Sequence, residues 1–145
     1  MGSTHISHSP HDTEALGGEL ARRLQAGDVV LVEGDLGAGK TTFVRGACHA
    51  LGVTVPIRSP TFTIGHLYPG EPAVAHVDLF RIEDLEGEDP ELLSDYLRAD
   101  TISFVEWPRQ PGELEPLGKI AARVRIEHGG GDTRRLEIGS EDPGL

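Results

Sequence analysis

The spacing of apolar residues along the chain predicts an alternation of helices and strands. Between residues 12 and 27 leucines recur at steps of four, which is typical of a helix with one apolar face, and Gly27 would end this helix. The continuous apolar run at 29–32 predicts a strand that is buried on both faces. A second helix is predicted from residue 40 onward, because five residues there share an apolar face: Phe43, Val44, Ala47, Cys48 and Leu51.

The second half of the chain has the pattern of a sheet. Two strands are predicted at 61–68 and 72–82, joined by the turn PGEP, and the apolar run at 101–107 predicts another buried strand. At 119–127 and 133–139 apolar residues alternate with charged ones on either side of the sequence HGGGD. This arrangement predicts an antiparallel hairpin near the C-terminus.

These elements, with an acidic helix predicted around 89–98, indicate one α/β domain with helices on both sides of a mixed central sheet. A length of 145 residues fits one such domain and leaves no room for a second catalytic domain. The stretches 1–11 and 140–145 show no periodicity, and both are predicted to be flexible tails. The folded domain is therefore expected to occupy 12–139.

Composition narrows the classes of function. The formal net charge is -11 and the isoelectric point is near 4.9, which argues against a direct grip on a nucleic-acid backbone, because that affinity comes from clustered Lys and Arg. Any role near RNA is expected to pass through a partner. A single cysteine, Cys48, fits a reducing compartment, and the chain shows neither a signal peptide nor a long apolar run. We therefore expect a cytoplasmic protein without membrane contact.

The sequence GDLGAGKT at 34–41 matches the phosphate-binding pattern G-x-x-x-x-G-K-[ST] in full, between a predicted strand and a predicted helix. Its glycines allow backbone N–H groups to turn toward phosphate oxygens, and the start of the helix favours the same anion. Lys40 is predicted to reach the β- and γ-phosphates, and the Thr41 hydroxyl to bind Mg²⁺. A P-loop NTPase-like fold is therefore predicted, with these nucleotide-binding residues: Asp35, Leu36, Gly37, Ala38, Gly39, Lys40, Thr41 and Thr42.

Two acidic residues come at the ends of other predicted strands. Asp78 follows the apolar run of the strand at 72–82, and Glu106 closes the strand at 101–107. Open α/β sheets bind ligands at the carboxyl ends of their strands, so both carboxylates are candidates for holding Mg²⁺, and Glu106 also for orienting or deprotonating the attacking water. The alternative for each is a structural acid that caps the next element or pairs with an arginine.

The absence of a guanine-binding segment indicates which base the nucleotide carries. GTPases read guanine with the segment Asn-Lys-x-Asp, and this chain contains no asparagine at all. The predicted nucleotide is therefore ATP.

Four sequence blocks resemble one protein family. In their order and spacing, GDLGAGKTTFVRG, SPTFTI, HVDLFRI and FVEWP are similar to the TsaE family, bacterial ATPases of tRNA threonylcarbamoyladenosine biosynthesis. The resemblance covers about residues 12 to 108. Phe80 stands where tyrosine is common in that family, and Ile82 where leucine is common.

The resemblance implies roles beyond those that the spacing suggests. Proteins of this family work with TsaD and TsaB to modify adenosine 37 of tRNA, and tRNA would meet this chain mainly through that complex. Lys40 would be the phosphate ligand, Asp78 the Walker-B acid and Glu106 a second acid near the metal. Thr61 would belong to a switch-like loop that faces the γ-phosphate, and Trp107 would lie beside the nucleotide or a partner.

Two other classes of function share the phosphate-binding motif. A small-molecule kinase could use Asp78 as the base that accepts a substrate proton, although the sequence has no long insertion that would form a substrate lid. A nucleotide-gated adaptor would change its docking surface when ATP binds, and hydrolysis would be incidental. Phosphate release, compared with phosphate transfer to a second molecule, distinguishes the kinase from the ATPase.

Overall fold

The computed structural model describes residues 2–34, 38–57, 65–70, 72–78, 97–107 and 120–140. Within these ranges the chain forms a seven-stranded mixed sheet and two α-helices. The helices are α1 (Pro10–Ala21) and α2 (Lys40–Ala50), and the strands are β1 (Gly2–Ser7), β2 (Val29–Gly34), β3 (Gly65–Tyr68), β4 (Ala73–Asp78), β5 (Thr101–Trp107), β6 (Ile120–His128) and β7 (Arg134–Ser140).

The strand order is β1-β7-β6-β2-β5-β4-β3. The four central strands β6, β2, β5 and β4 are parallel, whereas the pairs β3–β4, β6–β7 and β1–β7 are antiparallel. The prediction of an α/β fold with a mixed sheet and a C-terminal hairpin is confirmed. Since parallel strands end at the same edge of a sheet, the order also brings the ends of β2, β4 and β5 together.

The prediction of a flexible N-terminal tail is wrong for residues 2–7. These residues form β1, which pairs with β7 along its whole length and so provides hydrogen-bond partners for the outer edge of the C-terminal hairpin. The pairing uses backbone groups, and most side chains of β1 remain exposed, so no apolar periodicity marks it in the sequence. Ser140, assigned to the C-terminal tail, is the last residue of β7.

The first helix also lies earlier in the chain than predicted. It begins at Pro10 after the N-cap Ser9, whose hydroxyl accepts a hydrogen bond from the Asp12 N–H group, and proline suits this first helical position. It ends at Ala21 rather than near Gly27, which instead takes a positive φ of 95° in the turn that leads to β2. The boundaries of α2 agree with the prediction, and Gly52 follows it with φ 88°.

Both described helices pack against one face of the sheet. The core on this face combines Leu20 of α1, Phe43 and Cys48 of α2, and the inward residues of the strands, among them Val30 and Phe104. Glycines allow the helices to approach each other closely: a Cβ atom on Gly17 would lie 2.1 Å from the Phe43 carbonyl oxygen. One on Gly46 would lie 2.0 Å from the Glu14 carbonyl oxygen.

Several predicted features lie outside the described residues. These are most of the acidic helix around 89–98, the first half of the strand predicted at 61–68, the end of the strand predicted at 72–82, and residues 141–145. In the part of the chain that the structure describes, neither helix is long and apolar enough to cross a membrane.

Candidate nucleotide-binding site

The segment between β2 and α2 requires glycine at its first and last positions. At Gly34 a Cβ atom would lie only 2.6 Å from the carbonyl oxygen of Ile126 on the neighbouring strand β6. Gly39, the N-cap of α2, has φ 106°, a conformation that other residues adopt only with strain. The end of β2 and the start of α2, which flank the motif, therefore each place glycine where the backbone requires it.

The Lys40 side chain reaches back to the end of β2. Its Nζ atom donates a hydrogen bond of 2.7 Å to the carbonyl oxygen of Gly34, and only 8% of the residue is exposed. The contact joins Lys40 to the end of β2 and holds the ammonium group near the start of α2, where the helix end already favours anions. Positive charge is thus concentrated at the position predicted for phosphate.

Thr41 and Glu106 meet across the end of the sheet. The Thr41 hydroxyl lies 3.3 Å from both carboxylate oxygens of Glu106, and Glu106 is almost completely buried. Asp78 is the register partner of Glu106 on the adjacent strand β4, so its side chain starts from the same end of the sheet. Thr41, Glu106 and the start of the Asp78 side chain thus lie at one end of the sheet, and their binding of Mg²⁺ stays a prediction.

The chemistry of these groups fits Mg²⁺. A hydroxyl and two carboxylates offer the oxygen ligands that Mg²⁺ prefers, and proteins usually hold this ion with one or two carboxylates together with substrate phosphates. Among the described residues no group of three or more His, Cys, Asp or Glu side chains is arranged to hold a metal alone.

His76 is a member of this site that the sequence did not identify. It is fully buried on β4, and its Nε2 atom is hydrogen-bonded to Oε2 of Glu106. Because an ionised carboxylate can only accept hydrogen bonds, His76 is the donor when Glu106 is ionised. The sequence signal that could have identified His76 is its position two residues before Asp78, which places both side chains on the same face of the strand.

Arg134 is a second residue that sequence reasoning missed. It begins β7, 96 positions after the turn, and its Nε atom donates a hydrogen bond of 3.0 Å to the Ala38 carbonyl oxygen. Its NH1 group donates to the carbonyl oxygens of Gly131 and Thr133 in the hairpin turn. No local sequence pattern indicates this contact, since it depends on where the hairpin lies in the sheet.

Other predicted site residues are described only in part. Thr42 lies in the first turn of α2 and is half-buried, and Trp107 is the last residue of β5, where only its backbone is described. Four further predicted residues lie outside the described ranges: Asp35, Leu36, Gly37 and Thr61.

A mixed sheet with a parallel centre, a glycine-rich sequence after its strand β2 and a buried lysine at the start of the next helix define an α/β protein with a P-loop. Residues 7–136 match the family model described as "Threonylcarbamoyl adenosine biosynthesis protein TsaE". The chain belongs to the TsaE family.

Individual relatives agree with this assignment. The chain is similar to the tRNA threonylcarbamoyladenosine biosynthesis protein TsaE of Streptomyces coelicolor, with 40% identity over 81% of this chain and 80% of that protein. It is 38% identical to the TsaE protein of Bacillus subtilis over 88% of this chain and 79% of that protein. In three dimensions it resembles the crystal structure of Bacillus subtilis YdiB, with a TM-score of 0.75, 28% identity, and coverage of 98% of this chain and 87% of that one.

Proposed function

We propose that this protein binds Mg-ATP and hydrolyses it in support of the formation of N6-threonylcarbamoyladenosine at position 37 of tRNA. Membership of the TsaE family supports the tRNA-modification part of this proposal. The contact between Thr41 and the buried Glu106 is the observation that carries the nucleotide part, because it joins the start of the P-loop helix to an acid at the end of β5. TsaD and TsaB are the proposed partner proteins.

Each residue of the site has a distinct task in this proposal. Lys40 and the backbone N–H groups of the P-loop bind the phosphates and hold the γ-phosphate in line for attack. Thr41 and Asp78 would hold Mg²⁺ directly or through water, and the ion would supply positive charge that offsets the charge of the phosphates. Glu106 orients a water molecule and accepts its proton at a carboxylate oxygen.

The negative charge of the chain disfavours direct binding of tRNA. With a net charge of -11, the protein repels a polyanionic backbone at long range, unless a basic patch overcomes this. Direct contact with tRNA is therefore proposed to be limited, and a partner complex would present the tRNA. ATP turnover by this chain would then serve a reaction whose substrates are bound elsewhere.

The first experiment measures phosphate release from Mg-ATP by the wild type and by Lys40→Ala, Asp78→Ala and Glu106→Gln. Lys40→Ala is expected to abolish productive ATP binding, whereas the acid variants are expected to lower turnover by a factor on the order of 100 or more. Lys119→Ala, which removes the only other lysine of the chain, is the matched control. Turnover near the wild-type rate in all three site variants would contradict the proposed site.

The second experiment adds purified TsaD, TsaB and tRNA to the same assay. A low rate that rises with these partners supports a role in tRNA modification. Transfer of the γ-phosphate to a small molecule instead of water would favour the kinase alternative. Repeated tRNA modification by Glu106→Gln, which is expected to bind ATP but not to hydrolyse it, would favour a nucleotide-gated adaptor.

A further inference from the structure

We propose that Arg134 is a positioning residue of the phosphate site, which it reaches from the C-terminal hairpin. Its guanidinium group holds the Ala38–Gly39 peptide so that the Gly39 N–H group faces the bound phosphate. The inference rests on the proposed function, because it concerns the affinity of the same site for nucleotide. It adds a residue that lies outside the P-loop and outside the two acidic strand ends.

The planarity of the peptide bond provides the central step. In a trans peptide the C=O of one residue and the N–H of the next point in opposite directions within one plane. The Ala38 carbonyl oxygen accepts a 3.0 Å hydrogen bond from Nε of Arg134, so this oxygen is directed toward the hairpin. The N–H group of Gly39 must then point away from the hairpin, and this is the side on which the proposal puts the phosphate.

This peptide needs an external support because its own residues constrain it poorly. Gly39 has no side chain and lies at φ 106°, and no side chain caps α2 at this position. A glycine peptide in a turn can rotate at small energetic cost unless a partner holds it. Arg134 is close enough to serve as that partner, since a Cβ atom on Gly39 would lie 3.9 Å from its Nε atom.

The turn between β6 and β7 holds the guanidinium group of Arg134 in place. NH1 of Arg134 donates hydrogen bonds of 2.6 Å to the Gly131 carbonyl oxygen and 2.8 Å to that of Thr133. The turn is closed by paired backbone hydrogen bonds between Gly129 and Thr133 and between Thr133 and Gly130. Arg134 therefore links the hydrogen-bonded hairpin turn to the P-loop, and its charge strengthens the polarity of the Ala38–Gly39 peptide.

The variant that tests this role is Arg134→Met, which keeps an unbranched side chain but removes every donor. We expect the dissociation constants of Mg-ATP and Mg-ADP to rise by roughly 10-fold, because a charge-assisted hydrogen bond that orients a ligand-binding group is lost. Arg135→Met is the matched control. Arg135 is the next residue on β7, and it forms exposed ion pairs with Glu127 and Glu137 instead. Its substitution is expected to leave both constants unchanged.

Two further measurements separate positioning from other roles. Tripolyphosphate, used as a competitor, should lose affinity for Arg134→Met by the same factor as ATP. An unchanged affinity for tripolyphosphate would mean that Arg134 contacts the base or ribose, and would overturn the proposal. In glycine-labelled protein, the Gly39 amide resonance should shift in Arg134→Met without nucleotide, and an unchanged resonance would also overturn it.

The remaining outcomes are also decisive. Wild-type affinity in Arg134→Met, or equal losses in Arg134→Met and Arg135→Met, would overturn the inference and leave the proposed function intact. If the wild type itself bound no nucleotide, both this inference and the proposed function would be contradicted. If Arg134→Met does not fold, the affinity of Arg134→Lys for Mg-ATP is measured instead. Lysine keeps the positive charge but lacks the several N–H groups with which the guanidinium joins the hairpin turn to the P-loop. We therefore expect Arg134→Lys to bind Mg-ATP more weakly than the wild type. Unchanged affinity for Mg-ATP would overturn the proposal.

Discussion

Glu106 accepts hydrogen bonds from two elements that approach it from different sides. The Thr41 hydroxyl comes from the first turn of α2, and His76 comes from the neighbouring strand β4. A buried carboxylate that is held by two donors has little freedom to rotate, and its remaining lone pairs point in fixed directions. His76 therefore acts on the proposed chemistry through the orientation of Glu106, without touching the nucleotide.

Substitution of His76 should affect turnover more than ATP affinity. We expect His76→Phe to lower the rate of ATP hydrolysis by roughly 10- to 100-fold, the usual effect of losing a residue that orients a functional carboxylate. The dissociation constant of ATP should change little, because the phosphate ligands remain. His76→Gln, which can still donate a hydrogen bond, should restore part of the rate.

The double variant with Glu106→Gln is the control for this prediction. If His76 acts through Glu106, His76→Phe should reduce the rate little further in the Glu106→Gln background. Equal losses in both backgrounds, or a parallel loss of ATP affinity, would instead indicate a general disturbance of β4.

Glu33 provides a prediction about pH. It lies on β2 next to the P-loop, and burial raises the pKa of its carboxyl group although Arg125 and Arg123 lower it. Folding therefore favours the protonated form, so its stabilising contribution is present at low pH and is lost as pH rises through the raised pKa. Glu33→Gln, which stays uncharged, should increase the melting temperature relative to the wild type at pH 7.5 but not at pH 4. A difference between the two proteins that is independent of pH would contradict the prediction.

At the scale of elements, the close crossing of α1 and α2 depends on single glycines. Gly17 faces the α2 backbone, whereas a Cβ atom on Gly18 would meet its nearest neighbour, the Cβ of Ala50, at 3.4 Å. Gly17→Ala is therefore expected to destabilise the protein by about 1–3 kcal/mol through overpacking. Gly18→Ala should be neutral or stabilising, because alanine is the better helix former. Urea unfolding of both variants checks this pair, and similar midpoints would contradict the assigned close approach.

Local patterns predicted most of the described elements but not those that depend on a neighbour. The buried strands β2 and β5 and the helix α2 follow from residues that are close in sequence, and their boundaries agree with prediction. β1 was missed because its polar residues form a strand only when β7 provides partners. The need for glycine at position 17 could not be predicted, since it depends on the approach of a second helix.

The same distinction applies to the candidate site. The P-loop and the positions of Asp78 and Glu106 could be predicted, because a motif and the rule for strand ends specify them. The contacts of His76 and Arg134 could not be predicted. They span 30 and 96 positions in the chain, and they form only in the observed strand order, which places β4 beside β5 and the β6–β7 hairpin beside β2.

At the scale of the whole molecule, α2 joins the site to the core. Its first turn carries Lys40 and Thr41, and its middle carries Phe43, Ala47 and Cys48, all fully buried against the sheet and α1. The helix therefore cannot expose its buried face without losing the phosphate-binding geometry at its start. Ligand binding at the P-loop should consequently stabilise the core as a unit.

Cys48 allows this coupling to be measured. It is the only cysteine of the chain, it is fully buried, and burial raises the pKa of its thiol to about 12. Since the thiolate is the reactive form, native Cys48 should react with a thiol reagent at pH 7.5 only when the core opens, whereas the protein in urea should react at once.

ATP at 100 times its dissociation constant should slow native labelling by a factor of about 100, because only the folded state binds it. Lys40→Ala should show no such protection. Rapid labelling of the native wild type, or equal ATP protection in both proteins, would contradict a core that opens together with the P-loop.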